Sequence, residues 1–170
     1  MRIFLVGPMG SGKSTVGRIL AKELSLTFID TDNEIEKKAG ASIDWIFEVE
    51  GEDKFRNRES EVFKNIVIED SIVVATGGGI ILTKENRDIL KDMGVTVLLD
   101  TSIDSQLDRL KNDKKRPLLK TDSKREKLKK LCSERDHLYD EVSHIVINTD
   151  KQELSKITKE IIYKLNKYEC

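Results

Sequence analysis

The stretch Gly7-Pro8-Met9-Gly10-Ser11-Gly12-Lys13-Ser14-Thr15 directly follows the apolar run Ile3-Phe4-Leu5-Val6. It matches the pattern G-x-x-x-x-G-K-[ST], in which the lysine reaches the β- and γ-phosphates and the hydroxyl after it ligates Mg²⁺. The glycines let the backbone turn so that successive N–H groups point at one anion, and the following helix adds the positive end of its dipole. The stretch therefore predicts a strand–loop–helix unit that binds a nucleoside triphosphate, with Mg²⁺ as cofactor.

The apolar runs on either side of this unit indicate a parallel sheet. They are nearly continuous in Val, Ile and Leu, which is typical of strands covered on both faces. The predicted strands are Ile3–Val6, Thr27–Ile29, Ile72–Ala75, Val95–Leu99 and His144–Ile147. The predicted helices after the first are Asn33–Lys38, Glu50–Ile66, Lys84–Lys91, Ser123–Glu141 and Lys151–Leu165. This alternation predicts an α/β three-layer sandwich with the sheet in the middle.

Length and composition indicate one domain over residues 1–170, with a net charge of −1. No apolar run approaches the roughly 20 residues that span a bilayer, so we expect no membrane partner and a cytoplasmic location. Residues 109–130 hold eleven Lys or Arg against three acids. They indicate either a solvated face or a basic segment that attracts an anionic ligand. Few aromatics are interleaved with these charges, which argues against nucleic acid.

Two absences narrow the nucleotide-binding class. The strings D-x-x-G and N-K-x-D of switch GTPases do not occur, and the third strand ends in Ala75-Thr76-Gly77-Gly78-Gly79 rather than in a carboxylate. Segments 33–60 and 111–122 look like insertions over the carboxyl edge of the sheet, where ligands bind in such folds. A small-molecule kinase is therefore favoured.

The second strand runs into Asp30-Thr31-Asp32 beside the phosphate loop. One carboxylate can orient or deprotonate an acceptor hydroxyl, and the other can help to hold Mg²⁺ through water. The alternative for either aspartate is to cap the helix that follows. Three consecutive glycines, Gly77 to Gly79, are costly unless some group approaches their backbone closely.

Four arginines are candidates for contacts to anions. Arg56 and Arg58 point to different faces of a helix, so at most one faces the site. The alternative is a surface ion pair with Glu52 or Glu59. Arg116, in Arg116-Pro117-Leu118-Leu119, could stabilise charge on the transferring phosphoryl group from a mobile loop. Arg135 could contact a second anion or lie on a helix surface. Trp45 and Phe55 are interpreted as core.

In combination, these residues resemble one family along nearly the whole chain. The motifs are GPMGSGKSTVGRILA, FIDTDNEIEKKAGASIDWIFEVEGEDKFRNRES, ATGGG, RPLL and ERDHLYDEV. They are similar to those of shikimate kinases, in the nucleoside-monophosphate-kinase-like P-loop group. The resemblance implies a P-loop NTPase fold with a five-stranded sheet in the order 2-3-1-4-5. It also implies phosphorylation of the shikimate 3-hydroxyl by ATP, a step of chorismate and aromatic amino acid biosynthesis, by a monomer.

The resemblance also implies site roles. Residues 10–15 (Gly10, Ser11, Gly12, Lys13, Ser14, Thr15) bind ATP, with Ser14 on Mg²⁺. The catalytic residues are Lys13, Asp32 and the lid arginine Arg116, and Arg109 lies against the adenine. The shikimate-binding residues are Asp32, Arg56 (rather than Arg58), Gly77, Gly78, Gly79 and Arg135. Residues 33–66 form the shikimate-binding region and 111–122 the lid. Asp30 is the second candidate for the metal sphere.

Two alternatives remain open. One is a kinase for another small hydroxylated acid such as gluconate, and the other is a catalytically silent nucleotide-binding module. The sequence departs from the family pattern at His137, where a proline is common in R-D-x-L-Y.

Overall fold

A five-stranded parallel sheet forms the centre of the protein. The computed structural model describes residues 1–111 and 123–168. The strands are β1 (Arg2–Val6), β2 (Thr27–Asp30), β3 (Ile72–Ala75), β4 (Val95–Asp100) and β5 (Ile145–Asn148). They pair in the order β2-β3-β1-β4-β5, so the predicted sheet and its strand order are confirmed. Parallel strands joined by helices place all their carboxyl ends on one edge, where the functional residues gather.

Helices cover both faces of the sheet. They are α1 (Lys13–Leu24), α2 (Thr31–Ala39), α3 (Ile43–Glu50), α4 (Glu52–Ile66), α5 (Lys84–Asp92), α6 (Ile103–Leu110), α7 (Lys124–Val142) and α8 (Leu154–Tyr168). Apolar residues of α1 and α8 pack against one face, and those of α2 to α5 and α7 against the other. The three-layer prediction is therefore confirmed. No helix within residues 1–111 and 123–168 is long and apolar enough to cross a membrane.

The region after β2 differs from the prediction. A single helix over Glu50–Ile66 was expected, but two helices meet at Gly51, whose φ of 84° and ψ of 169° are not helical. Helix α3, capped by the Ser42 side chain at Trp45 N, precedes that break and was not predicted. Helix α6, which begins after the cap residue Ser102, was not predicted either.

The aromatic side chains of this region divide between core and surface. Phe55 is buried, as expected, and its ring packs against Phe47 with 4.5 Å between centroids. Trp45 was interpreted as core, but 49% of its surface is exposed, so that interpretation is wrong. The buried residue of α3 is Ile46, and its neighbour Trp45 lies about 100° around the helix from it, on the exposed side.

Candidate active site

The phosphate loop joins β1 to α1 with a backbone suited to anion binding. Gly10 and Gly12 have φ values of 76° and 94°, in the left-handed region that glycine adopts without strain. Gly12 is the N-cap of α1 and has no side chain to cap it. The first N–H groups of α1 therefore have no side-chain cap and can bind a phosphate, with the positive end of the helix dipole behind them.

Lys13 folds back over this loop. Its Nζ donates hydrogen bonds to the backbone oxygens of Gly7 at 2.7 Å and Pro8 at 2.9 Å, and lies 3.3 Å from Ser11 Oγ. The ammonium group is thus held above the loop that would surround the phosphates. A cation fixed there before the ligand arrives needs little reorganisation during phosphoryl transfer.

Ser14 and Asp30 meet between α1 and the end of β2. The Ser14 hydroxyl donates to Asp30 Oδ2 at 2.6 Å. Asp30 Oδ1 accepts from the backbone N–H groups of Asp32 at 3.1 Å and Asn33 at 3.4 Å, so Asp30 is the N-cap of α2. The capping alternative therefore holds for Asp30. Asp32, in contrast, lies in the first turn of α2 and lines the cavity described below.

The residues around Ser14 suit a magnesium ion bound together with phosphates. Mg²⁺ prefers oxygen ligands, keeps several waters and needs only one or two protein oxygens when phosphates supply the rest. Because the Ser14 hydroxyl donates its proton to Asp30, its lone pairs remain able to face a cation. Among residues 1–111 and 123–168 there is no cluster of three or more His, Cys, Asp or Glu that could hold a metal alone. The fit is therefore to a nucleotide-bound ion.

Arg56 and Arg58 point in different directions. Arg58 forms a two-pronged ion pair with Glu50, at 2.8 and 2.7 Å, on the surface. Arg56 is 14% exposed and donates to Glu59 Oε2 at 2.7 Å and to Glu52 Oε1 at 3.0 Å. Only Arg56 reaches the glycine turn after β3, where its guanidinium lies against Gly79.

The three glycines after β3 are packed closely from one side. A Cβ on Gly77 would lie 2.6 Å from Glu59 Oε1, and one on Gly79 would lie 2.3 Å from Arg56 Nη1. A Cβ on Gly78 would meet nothing closer than 3.6 Å. The outer two glycines therefore leave room for the Arg56–Glu59 pair, while Gly78 lines the cavity.

Gly78 also links this turn to α7. Its carbonyl accepts hydrogen bonds from Tyr139 Oη at 2.5 Å and from Arg135 Nη1 at 3.3 Å. Both side chains are buried, and Arg135 Nε has no hydrogen-bond partner among residues 1–111 and 123–168. Burial raises the pKa of the Tyr139 phenol far above its ordinary value, so this group stays a neutral donor.

The buried carboxyl group of Glu59 lies near two positive charges, those of Arg56 and Arg135. Burial raises the pKa of its carboxyl and Asp32 adds to the rise, while Arg56 and Arg135 oppose it. Its Oε1 atom has no hydrogen-bond partner within the part of the chain that the structure describes. A buried ion pair with an unsatisfied oxygen is costly, because both charges lose their hydration.

Arg109 joins the phosphate loop to the end of β5. It donates to Gly10 O at 2.9 Å, to Thr149 Oγ1 at 3.1 Å and to Thr149 O at 2.7 Å. Its position at the rim of the cavity is compatible with the predicted adenine contact. The predicted lid residue Arg116, with residues 112–122, lies outside the described residues.

A cavity of about 350 Å³ opens at this edge of the sheet. It is lined by Met9, Gly10, Gly12, Lys13, Ser14, Thr15, Asp30, Asp32, Thr76, Gly78, Arg109 and Leu110. Nine of these were predicted from the sequence as site residues. Five predicted site residues that the structure describes are not part of this lining: Ser11, Gly77, Gly79, Arg56 and Arg135. Ser11, Gly77 and Gly79 adjoin lining residues and Arg135 donates to Gly78, whereas Arg56 lies against Gly79, one residue further from the cavity.

Three residues around the turn were not assigned a role from the sequence: Thr31, Glu59 and Tyr139. Glu59 was considered only as a surface partner of Arg56, yet it is fully buried. Its position three residues after Arg56, on the same helix face, was the available signal. Nothing local marks Thr31 or Tyr139, because their partners lie 46 and 61 residues away.

The phosphate loop, the parallel sheet and a carboxylate on the opposite cavity wall together define a P-loop kinase of small molecules. A family model described as shikimate kinase matches residues 9–166. The shikimate kinase of Aliivibrio fischeri is 52% identical over 163 residues, which are 96% of this chain and 95% of that protein. The Vibrio cholerae shikimate kinase is 48% identical over 166 residues, covering 98% and 95%. The chain therefore belongs to the shikimate kinase family.

Solved structures agree with this assignment. The shikimate kinase from Acinetobacter baumannii in complex with shikimate is 45% identical, with a TM-score of 0.96 over 98% of this chain and 93% of that one. A gluconokinase from Sinorhizobium meliloti covers 98% of this chain and 92% of its own at only 19% identity and a TM-score of 0.65. That second likeness shows the fold alone.

Proposed function

We propose that this protein transfers the γ-phosphoryl group of ATP to the 3-hydroxyl of shikimate, giving shikimate 3-phosphate and ADP in the route to chorismate and the aromatic amino acids. The observation that carries this proposal is a single cavity lined both by Lys13 and Ser14 of the phosphate-binding segment and by Asp32 and Gly78. Phosphoryl transfer depends mainly on positioning and charge stabilisation, so donor and acceptor must share one enclosed space.

On the donor side, the N–H groups of the phosphate loop and Lys13 bind the β- and γ-phosphates. Ser14 would ligate Mg²⁺ directly and Asp30 would hold it through water, and the ion would supply positive charge to the phosphoryl oxygens. Arg109 lies against the adenine, next to Gly10. Arg116 brings a further positive charge over the transferring group from the lid, 111–122.

On the acceptor side, Asp32 orients the 3-hydroxyl and receives its proton or aligns it for attack. Arg56 and Arg135 bind the carboxylate of shikimate, and the backbone of Gly78 contacts the ring hydroxyls. Glu52, whose carboxylate is half exposed, holds Arg56 Nη2 in this structure. An incoming carboxylate would replace this exposed contact, whereas the buried contact with Glu59 would stay.

Residues 33–66, which hold most of α2 and all of α3 and α4, form the shikimate-binding region of the domain. In this proposal the active unit is a monomer. Sedimentation analysis at assay concentration tests this. Because ATP is the co-substrate, we place the reaction in the cytoplasm.

A coupled assay of ADP release with ATP, Mg²⁺ and shikimate tests the function. We expect ADP formation to depend on shikimate and to be negligible with gluconate, the acceptor of the alternative kinase. The absence of shikimate-dependent ADP from freshly purified protein would refute the proposal. It would then leave the silent nucleotide-binding module as the better explanation.

The Asp32→Asn variant tests the acceptor side within the same assay. We expect kcat to fall by about 10²-fold or more, the usual effect of losing a positioned base. The Asp53→Asn variant, which changes an exposed carboxylate in the first turn of α4, is the matched control and should keep wild-type turnover. Near-wild-type turnover of Asp32→Asn would show that Asp32 has no part in the transfer.

A further inference from the structure

The backbone of the glycine turn, Gly77–Gly79, is held by two buried hydroxyl groups from elements on opposite sides of it. Thr31 Oγ1 accepts the Gly77 N–H at 2.9 Å, and Tyr139 Oη donates to the Gly78 carbonyl at 2.5 Å. We propose that Thr31 and Tyr139 are positioning residues that fix this turn for shikimate binding. This inference rests on the proposed function for its kinetic consequence, but not for the two hydrogen bonds.

The need for Thr31 arises from the way the sheet ends. The Thr76 N–H donates to Leu5 O of β1, so the next N–H, that of Gly77, points to the other neighbour, β2. The β2–β3 pairing stops at Asp30 and Ala75, because the chain turns into α2 at Thr31. The Thr31 hydroxyl therefore takes the place of the next strand carbonyl and extends the pairing by one bond.

Thr31 is 0% exposed, so no solvent can replace it as an acceptor for the Gly77 N–H. A buried N–H without a partner costs free energy, and the turn would shift to find another acceptor. Any such shift moves Gly77 relative to the neighbouring Asp32. The Thr31 hydrogen bond thus sets the distance between Asp32, which orients the shikimate 3-hydroxyl, and the glycine turn, which contacts the shikimate ring.

Tyr139 fixes the opposite side of the turn. It lies one helical turn after Arg135 on α7, and both side chains donate to the same Gly78 carbonyl. Because these two hydrogen bonds hold the Gly78 carbonyl towards α7, they fix the orientation of the peptide group between Gly78 and Gly79. Tyr139 therefore couples the position of the turn to that of the arginine proposed to bind the carboxylate.

The glycines cannot position themselves. Glu59 and Arg56 occupy the space that side chains on Gly77 and Gly79 would need, so this segment has no side chains of its own with which to anchor. Three glycines in a row are also the most flexible backbone a chain can have. The Gly77 and Gly79 carbonyls accept from the N–H groups of Ile80 and Leu82, whereas the Gly77 N–H and the Gly78 carbonyl bond to side chains from other elements.

Variants that remove only one hydroxyl each test the proposal. We expect Thr31→Val and Tyr139→Phe each to raise the KM for shikimate by about five- to tenfold, the effect of one lost hydrogen bond. The KM for ATP should stay within about twofold of wild type, because each hydroxyl forms its hydrogen bond with the glycine turn and not with the phosphate loop. Thr31→Ser, which keeps the acceptor, should restore most of the shikimate KM.

Thr96→Val is the matched control. Thr96 is also fully buried in the sheet, and its hydroxyl donates to a backbone carbonyl, Leu90 O, at 2.6 Å on the opposite side of the molecule. We expect a loss of stability in this control with both KM values unchanged. If Thr31→Val and Tyr139→Phe behave like Thr96→Val, with lower stability and an unchanged shikimate KM, the proposal is wrong.

Amide hydrogen exchange tests the Thr31 bond even if Thr31→Val does not fold. In the wild type and in Thr31→Ser, the Gly77 amide should exchange as slowly as the amides of β3. Fast exchange of Gly77 in the folded wild type would overturn the proposal. If the wild type forms no shikimate-dependent ADP, the proposed function fails, but this exchange measurement still decides on the bond.

Discussion

Gly79 leaves the space in which the guanidinium of Arg56 lies. A Cβ at Gly79 would come within 2.5 Å of three guanidinium atoms, which are the far end of a flexible side chain. In Gly79→Ala we therefore expect Arg56 to move aside, with a loss of stability because its buried pair with Glu59 is disturbed, and the KM for shikimate to rise by about tenfold or more. Steady-state kinetics together with thermal unfolding check this. A variant with the wild-type shikimate KM would place the carboxylate site away from Arg56.

Lys13 supplies the fixed cation of the phosphate loop, and Lys13→Met removes it with little change in side-chain length. We expect kcat to fall by about 10²-fold or more, the scale found when one preorganised group that stabilises the transition state is lost. The control is Lys22→Met, which changes an exposed lysine in the last turn of the same helix. Equal turnover in the two variants would contradict the role given to Lys13.

The pairing of β4 with the segment before β5 depends on a neutral histidine. Thr96 N–H donates to His144 Nδ1 at 2.9 Å, so that nitrogen must be unprotonated. Partial burial lowers the pKa of His144 below its ordinary 6.5, although a hydrogen bond at Lys91 and the charge of Asp92 oppose the shift. The folded state then binds this proton more weakly than the unfolded chain does.

It follows that the free energy of unfolding should fall as the pH drops from about 6.5 towards the lower folded-state pKa. His144→Asn, whose Oδ1 can accept the same hydrogen bond at any pH, should lack this dependence. Denaturant unfolding at pH 7 and pH 5 measures the difference. NMR titration should show His144 titrating below 6.5; titration above that value would contradict the expectation.

Elements could be predicted from the sequence wherever one local pattern determined them. The strands are buried on both faces, so β3 reads as an unbroken apolar run and its bounds were predicted to the residue. The Glu50–Ile66 helix was predicted too long because periodicity takes no account of backbone angles, and Gly51 breaks it. The helices α3 and α6 were not predicted because they are short, and their main sequence signals are the N-cap residues Ser42 and Ser102, which indicate a helix less strongly than periodicity does.

Site residues, too, could be predicted where one local pattern determines them. The phosphate loop is a contiguous stretch of nine residues, so its phosphate-binding role could be predicted from the sequence motif alone. The turn at Gly77–Gly79 is different, because its partners come from β2, α4 and α7 and meet only when the sheet has formed. Sequence spacing identifies Arg56 as a candidate, but the choice against Arg58 follows from packing on Gly79.

In the whole molecule, two anion sites share one edge of a sheet whose faces are covered by separate apolar clusters. The phosphate loop connects β1 to α1 on one side, and the glycine turn with α4 and α7 lies on the other. In the proposed function, each site uses different charged groups: Lys13 for the nucleotide, and Arg56 with Arg135 for the carboxylate. Binding at one site should therefore survive loss of the other.

Thermal unfolding with single ligands tests this independence. A ligand at a hundred times its Kd stabilises the folded state by about 2.7 kcal/mol, which raises the Tm of a chain this long by about 5–10 °C. We expect ADP with Mg²⁺, and shikimate, each to give such a shift in the wild type. Lys13→Met should lose most of the ADP shift and keep the shikimate shift, and Arg135→Ala should do the reverse. Loss of both shifts in either variant, with the unliganded Tm unchanged, would mean that the two sites form only together, since a charge removed from one wall would then abolish binding at the other.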